Sequence, residues 1–270
     1  MRSIKFCKFH GFGNDYIVIE NDELKSIENL GEFSKRICHR NTGVGGDGIA
    51  VLEKLETGAD YQCRIINPDG SEAGFSGNGT RCAVAHLYYK NLYAEENLLL
   101  ETKSGVKKYQ LLKREENTFW FLAELGKPES ITNCELRITN CDEILPVITL
   151  DVGNPVCVVF VDEFETIDWR KIGKEIESHP HFPERTNVVF VKVNDEKNIE
   201  IRIWERGAGE TSSSGTCSIA AVVASAFTNK TGRSVSVSAE GGMTEAVWRD
   251  DDEMMITGRA DLSFCGEFYQ

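Results

Sequence analysis

Ser76 and Ser214 stand where a polar turn runs straight into an apolar stretch. The first lies in "SEAGFSGNGTRCAVAHLYYK" and the second in "GETSSSGTCSIAAVVASAF", each just ahead of a glycine. Serine in that place reads as a helix N-cap, because its oxygen accepts a backbone N–H that the helix leaves unpaired at its start. The same place attracts anions, since the helix dipole leaves partial positive charge there. Gly77, Gly79 and Gly215 let the backbone approach a ligand closely. Two such helix starts aimed at one carboxylate would hold it, and would stabilise the charge that develops when its α-carbon is deprotonated. Groups at 76 and 214 would then flank that carbon, one removing a proton and the other returning one to the opposite face. Glu72 and Glu210 precede the two serines at equal spacing and are candidate substitute bases, provided the site raises their carboxyl pKa. The bland alternative is that both serines are caps and nothing more.

These residues sit inside a repeat. "YQCRIIN" followed by its Gly-rich turn, and "IEIRIWE" followed by its own, superimpose so that Arg64 meets Arg202, Glu72 meets Glu210, Ser76 meets Ser214 and Gly77 meets Gly215. "GNDYIVIE" at 13–20 echoes "GNPVCVVF" at 153–160 at nearly the same offset. A duplicated α+β lobe follows, with the division in 115–147. Alternation and β-branched runs predict strands at 3–9, 15–20, 49–53, 60–66, 98–102, 107–113 and 119–124 in the first lobe. The second lobe has them at 147–152, 156–161, 187–193, 199–205, 235–239, 243–248 and 253–257. Helices are predicted at 30–38, 77–90, 169–178 and 215–228. Lobes 1–118 and 119–262 would be related by a pseudo-twofold and bind ligand in the cleft between them, with 263–270 returning to the first.

Composition narrows the classes. The chain has 270 residues, 27% of them charged, and a net charge of −13 with no basic cluster, so nucleic acid is excluded as a partner. No apolar run approaches the length of a membrane span and the N-terminus lacks the pattern of a signal peptide, so a cytoplasmic protein without membrane contact is expected. Nine scattered cysteines without a CxxC pair argue against a zinc site and fit buried thiols in a reducing compartment.

"KFHGFGNDYIVIE", "GVGGDGI", "NPDGSEAGFSGNGTRC", "GNPVCVVF", "HFPERTNVVFV" and "ERGAGETSSSGT", in that order along the chain, resemble the motifs of the diaminopimelate epimerase family. The resemblance implies two lobes, each a mixed or antiparallel sheet or barrel around a central helix, and often a homodimer. It implies an isomerase of lysine and cell-wall precursor synthesis that interconverts LL- and meso-diaminopimelate by two bases, with neither pyridoxal phosphate nor metal. On the matching positions, Gly77, Asn78, Gly215 and Thr216 would hold the reacting carboxylate. Asn14, Asn67, Asn154, Asn187, Glu205 and Arg206 would bind the rest of the substrate, with Arg206 on the distal carboxylate and Glu205 on an amino group.

Three positions depart from the family pattern. Cysteine is expected at both base positions, where this chain has Ser76 and Ser214, and the family's histidine after "GNP" is Val156. A helix start can draw a thiol to neutral pKa, whereas a serine hydroxyl needs an adjacent base. No histidine offers itself: His10 reads as part of a turn, His39 and His86 as helical, and His179 and His181 as loop residues. Three functions fit: an epimerase impaired by a double cysteine-to-serine change, natural or introduced; a paralogue with other chemistry on a similar amino acid; and a non-catalytic amino-acid-binding protein.

Overall fold

The structure is a computed structural model and describes residues 3–139 and 143–269; Cys141 lies outside them. The chain divides into two compact units, Met1–Ala123 with Gly258–Gln270, and Glu124–Thr257. The boundaries differ from 118/119 and 262/263 because one continuous strand crosses each of them.

In the first unit the order is β1 (Ser3–Gly11), β2 (Asn14–Glu20), α1 (Leu30–Cys38), β3 (Gly48–Lys54), β4 (Tyr61–Ile66), β5 (Glu72–Ala73), α2 (Gly77–Tyr89), β6 (Asn97–Thr102), β7 (Gly105–Glu115) and β8 (Thr118–Gly126). The second has β9 (Glu129–Ile138), β10 (Glu143–Asp151), β11 (Pro155–Phe160), α3 (Trp169–Glu177), β12 (Asn187–Asp195), β13 (Asn198–Glu205), β14 (Gly209–Thr211), α4 (Gly215–Phe227), β15 (Ser234–Ala239), β16 (Gly242–Trp248) and the start of β17 (Met254–Tyr269), which belongs to the first unit from Gly258 on.

Pairing repeats as the sequence does. β1–β2 is antiparallel, β2–β3 parallel, β3–β4 antiparallel, β4–β6 parallel and β6–β7 antiparallel. In the second unit β10–β11, β11–β12, β12–β13, β13–β15 and β15–β16 run through the same series. Each parallel pair needs a crossover, which α1 and α3 supply between β2 and β3 and between β11 and β12. The fold is therefore α+β, with mixed sheets and few helices.

At the centre of each sheet lies one helix. α2 packs on β1 to β4 and is buried from Gly77 through Tyr88, while α4 packs on β10 to β13, β15 and β16 and is buried from Gly215 through Ser225. A helix apolar on all sides has no solvent face to keep, which "CSIAAVVA" announces. α1 and α3 are amphipathic and cover the outside, with Phe33 and Ile37, and Ile172 and Ile176, turned inward. No helix among the described residues is long and apolar enough to cross a membrane.

The strands left unpredicted, β5, β9, β14 and the far half of β17, are short or largely exposed, so they lack the apolar alternation that reveals a strand. The far half of β17 pairs with β1 and sets Cys7 opposite Cys265, and the two form a disulfide. Not all of the cysteines are free thiols, and residues so distant in sequence gave no sign of it.

Candidate functional site

The first helix start is built around Ser76. Its backbone is extended, and its Oγ accepts the Gly79 N–H at 3.1 Å, so it is the N-cap of α2. Thr80 Oγ1 donates to the Ser76 carbonyl at 2.6 Å and lies 2.5 Å from Tyr109 Oη, which pins the turn from below. Gly79 has to be glycine: a Cβ there would sit 2.9 Å from Tyr16 Cε1 and from Ile65 Cδ1. That closeness places Tyr16 Oη 2.9 Å from Ser76 Oγ, a contact not anticipated from the sequence.

Asn14 and Asn78, expected to bind substrate, are both deeply buried and belong to one chain of hydrogen bonds. Arg81 Nη1 donates to Asn78 Oδ1 at 2.9 Å, Asn78 Nδ2 donates to Asn14 Oδ1 at 3.1 Å, and Asn14 Nδ2 donates to Asp47 Oδ2 at 2.8 Å. The order of donors fixes which way each amide points. Arg81 and Asp47 were not singled out from the sequence; they stand at the two ends of these three bonds, and only the fold brings them together. Asn67 lies in the turn before β5, with its Nδ2 donating to Ser71 Oγ at 3.0 Å.

The second helix start differs in detail. Ser214 is more deeply buried than Ser76; its Oγ accepts the Cys217 N–H at 3.4 Å and lies 3.2 Å from Thr216 Oγ1. Burial pushes the thiols of Cys217 and its counterpart Cys82 up, so neither is a poised acid or base. Asn187 Oδ1 accepts the Arg206 backbone N–H at 2.9 Å, tying β12 to the turn after β13. The Arg206 guanidinium donates to the Glu184 carbonyl at 3.0 Å and has no carboxylate partner among the described residues. Glu205 precedes it at the end of β13, and Asn154 lies in the turn between β10 and β11. Glu177, which no motif indicated, holds this turn together. Its buried carboxylate accepts Trp204 Nε1 at 2.8 Å and the Gly207 N–H at 2.7 Å, and pairs with Arg185.

Glu72 and Glu210 are held by arginines. Arg64 Nη2 donates to Glu72 at 2.8 Å, and Arg170 Nη2 donates to Glu210 at 2.6 Å, each as one arm of a bidentate pair. The arginines keep both carboxyls below their ordinary range, the reverse of what a substitute base requires. The repeat also breaks here, for Arg202, the sequence counterpart of Arg64, pairs with Glu200 and Glu240 instead. No histidine bonds either serine: His10 belongs to β1, not a turn, His39 caps α1, and His86 lies beside Glu20 at 3.3 Å.

A family model described as diaminopimelate epimerase matches residues 6–131 and 148–263. The diaminopimelate epimerase of Desulfitobacterium hafniense is 33% identical over 278 residues, covering 97% of each chain. That of Moorella thermoacetica is 35% identical over 275 residues, covering 97% of this chain and 98% of its own. Among solved structures, a phenazine biosynthesis protein of the PhzF family from Bacillus anthracis shares the fold with a TM-score of 0.77 at 17% identity, covering 100% of both chains. A hydroxyproline epimerase from Agrobacterium vitis does so with a TM-score of 0.76 at 14% identity, covering 99% of this chain and 92% of its own. With both units matched by one family model, and relatives aligned over nearly all of its length, the chain belongs to the diaminopimelate epimerase family.

Proposed function

We propose that the protein binds diaminopimelate in the manner of an LL-to-meso epimerase and inverts it slowly or not at all. The observation that carries this reading is the pair of N-caps. Ser76 Oγ and Ser214 Oγ each accept a helix N–H at the start of a buried helix, which is where a proton-carrying atom gains most from the helix dipole. The N–H groups of Gly77, Asn78, Gly215 and Thr216 supply donors for the α-carboxylate. Arg206, with no internal carboxylate partner among the described residues, takes the distal one, and Glu205 takes an amino group. Asn67, Asn154 and Asn187 shape the turns around the ligand, while the side chains of Asn14 and Asn78 fix the first helix start.

In the two-base reaction one residue takes the α-proton, the electron pair left on the α-carbon spreads into the carboxylate, and the second residue returns a proton from the other side. In this reading the two residues are serines, whose hydroxyls have the wrong acidity for the task. A cytoplasmic homodimer that acts without pyridoxal phosphate or metal is part of the same proposal. The first test is incubation with LL-diaminopimelate in D₂O, with calorimetry for binding and NMR for α-proton loss and meso product. Binding with little or no inversion is the expected result. Absence of binding to either stereoisomer overturns the assignment of substrate, and turnover at the rate of an ordinary epimerase overturns the assigned defect.

A further inference from the structure

The two serines are not chemically equivalent. Tyr16 Oη lies 2.9 Å from Ser76 Oγ. Tyr16 opens the parallel pairing of β2 with β3 opposite Gly48, and Val156 opens the parallel pairing of β11 with β12 opposite Asn187. The same place in the repeat is thus a phenol beside Ser76 in the first unit and a buried aliphatic group in the second. The phenol is held firmly: a Cβ on either Gly48 or Gly79 would lie 2.9 Å from its ring, so the backbone of β3 and the first turn of α2 clamp it from two directions. Ser214 has Thr216 Oγ1 at 3.2 Å, a hydroxyl no more acidic than its own.

We infer that Tyr16 and Ser76 form a one-sided proton relay, in which Tyr16 passes the proton to and from solvent and Ser76 is the group that meets the substrate. The inference rests on the substrate reading above. Solvent hydroxide first removes the phenol proton. The phenolate then takes the hydroxyl proton of Ser76 while Ser76 Oγ takes the α-proton; the Cα–H bond breaks and its electron pair stays on the α-carbon. While the carbanion persists, the protons on Ser76 Oγ and Tyr16 Oη trade places with solvent deuterons; Ser76 then gives its deuteron to the α-carbon and takes another from Tyr16, which is left as phenolate, so the α-position exchanges on one face and keeps its configuration. Tyr16 acts through Ser76 and is a positioning residue. Ionisable groups on the elements around this pair include Asp15 on β2, Lys8 and His10 on β1, Asp47 ahead of β3, Cys63 on β4, Arg81, Cys82 and His86 on α2, and Lys107 and Tyr109 on β7. Burial pushes Cys63, Cys82 and Tyr109 up and, with the Asp15 charge, also raises the Asp47 carboxyl.

The test is α-proton exchange of LL- and meso-diaminopimelate in D₂O across pD 7 to 10, in the native protein and in Y16F, with calorimetric binding beside each. The relay predicts exchange without inversion that rises with pD, because hydroxide must first take the phenol proton. It also predicts at least a tenfold loss and a flat profile in Y16F with binding retained. Equal exchange in Y16F, or a native protein that binds and never exchanges, overturns the relay and leaves the substrate reading standing. If neither stereoisomer binds, the substrate reading fails, and a ligand-free measurement decides the relay. Alkylation of the residue-76 thiol, followed by peptide mass spectrometry, should titrate about one unit higher in S76C/Y16F than in S76C, because a phenol donor stabilises the thiolate. Identical titrations overturn the relay.

Discussion

Changing both serines to cysteine should convert a binder into an epimerase, and the size of the gain follows from where the two oxygens sit. Each lies at a helix start within hydrogen-bond reach of a backbone N–H, at 3.1 Å for Ser76 and 3.4 Å for Ser214. A helix N-terminus stabilises an adjacent anion by about 0.3–1 kcal/mol, and by up to about 2 kcal/mol when partly buried. At about 1.4 kcal/mol per pKa unit, this brings a thiol from about 8.5 to about 7. The same help leaves a hydroxyl, whose acidity is close to that of water, about seven units higher. About half of such a difference in basicity is recovered as intrinsic reactivity of the stronger base, which leaves a net gain of about 10³- to 10⁴-fold for the thiols at neutral pH. The assay is NMR of LL-diaminopimelate in D₂O with S76C/S214C beside the native protein, following α-proton loss and meso product together. If the double variant binds the substrate, and neither exchanges nor inverts it, the two-base reading is wrong.

Three further outcomes follow from the geometry. Gly79→Ala forces a methyl to within 2.9 Å of the Tyr16 and Ile65 side chains, so denaturant melts should show a loss of about 1–3 kcal/mol from overpacking. Glu72→Gln removes a half-exposed ion pair with Arg64 and should cost no more than about 1 kcal/mol at pH 7. The Glu72 carboxyl is depressed in the folded protein, so its contribution is present above the unfolded value of about 4.3 and fades as pH falls through the folded one; in E72Q that acid-side decline should be smaller. Arg206→Met should weaken diaminopimelate binding by at least about tenfold, as expected from losing a charge-assisted hydrogen bond of about 1.5–3 kcal/mol. Its melting curve should stay near native, because the guanidinium bonds only the Glu184 carbonyl among the described residues.

Much of this protein is legible in its residues. β-branched runs bounded by glycine and asparagine mark the strands, and two apolar stretches that open on Ser-Gly mark helices with no outward face, because local periodicity is set by the geometry of the element itself. The duplication is visible for the same reason: equal units need equal patterns. What the tertiary structure alone decides is who meets whom. Glu210 looks from its position in the repeat like a partner for Arg202, yet it takes Arg170 from the start of α3. Cys7 finds Cys265 because β17 returns along β1. Glu177 reaches the Arg206 turn, and Tyr16 reaches Ser76, across distances in the chain that no spacing rule spans. Periodicity records which side of an element is apolar; it carries no information on which charged or hydroxyl group the packed neighbour will place against it.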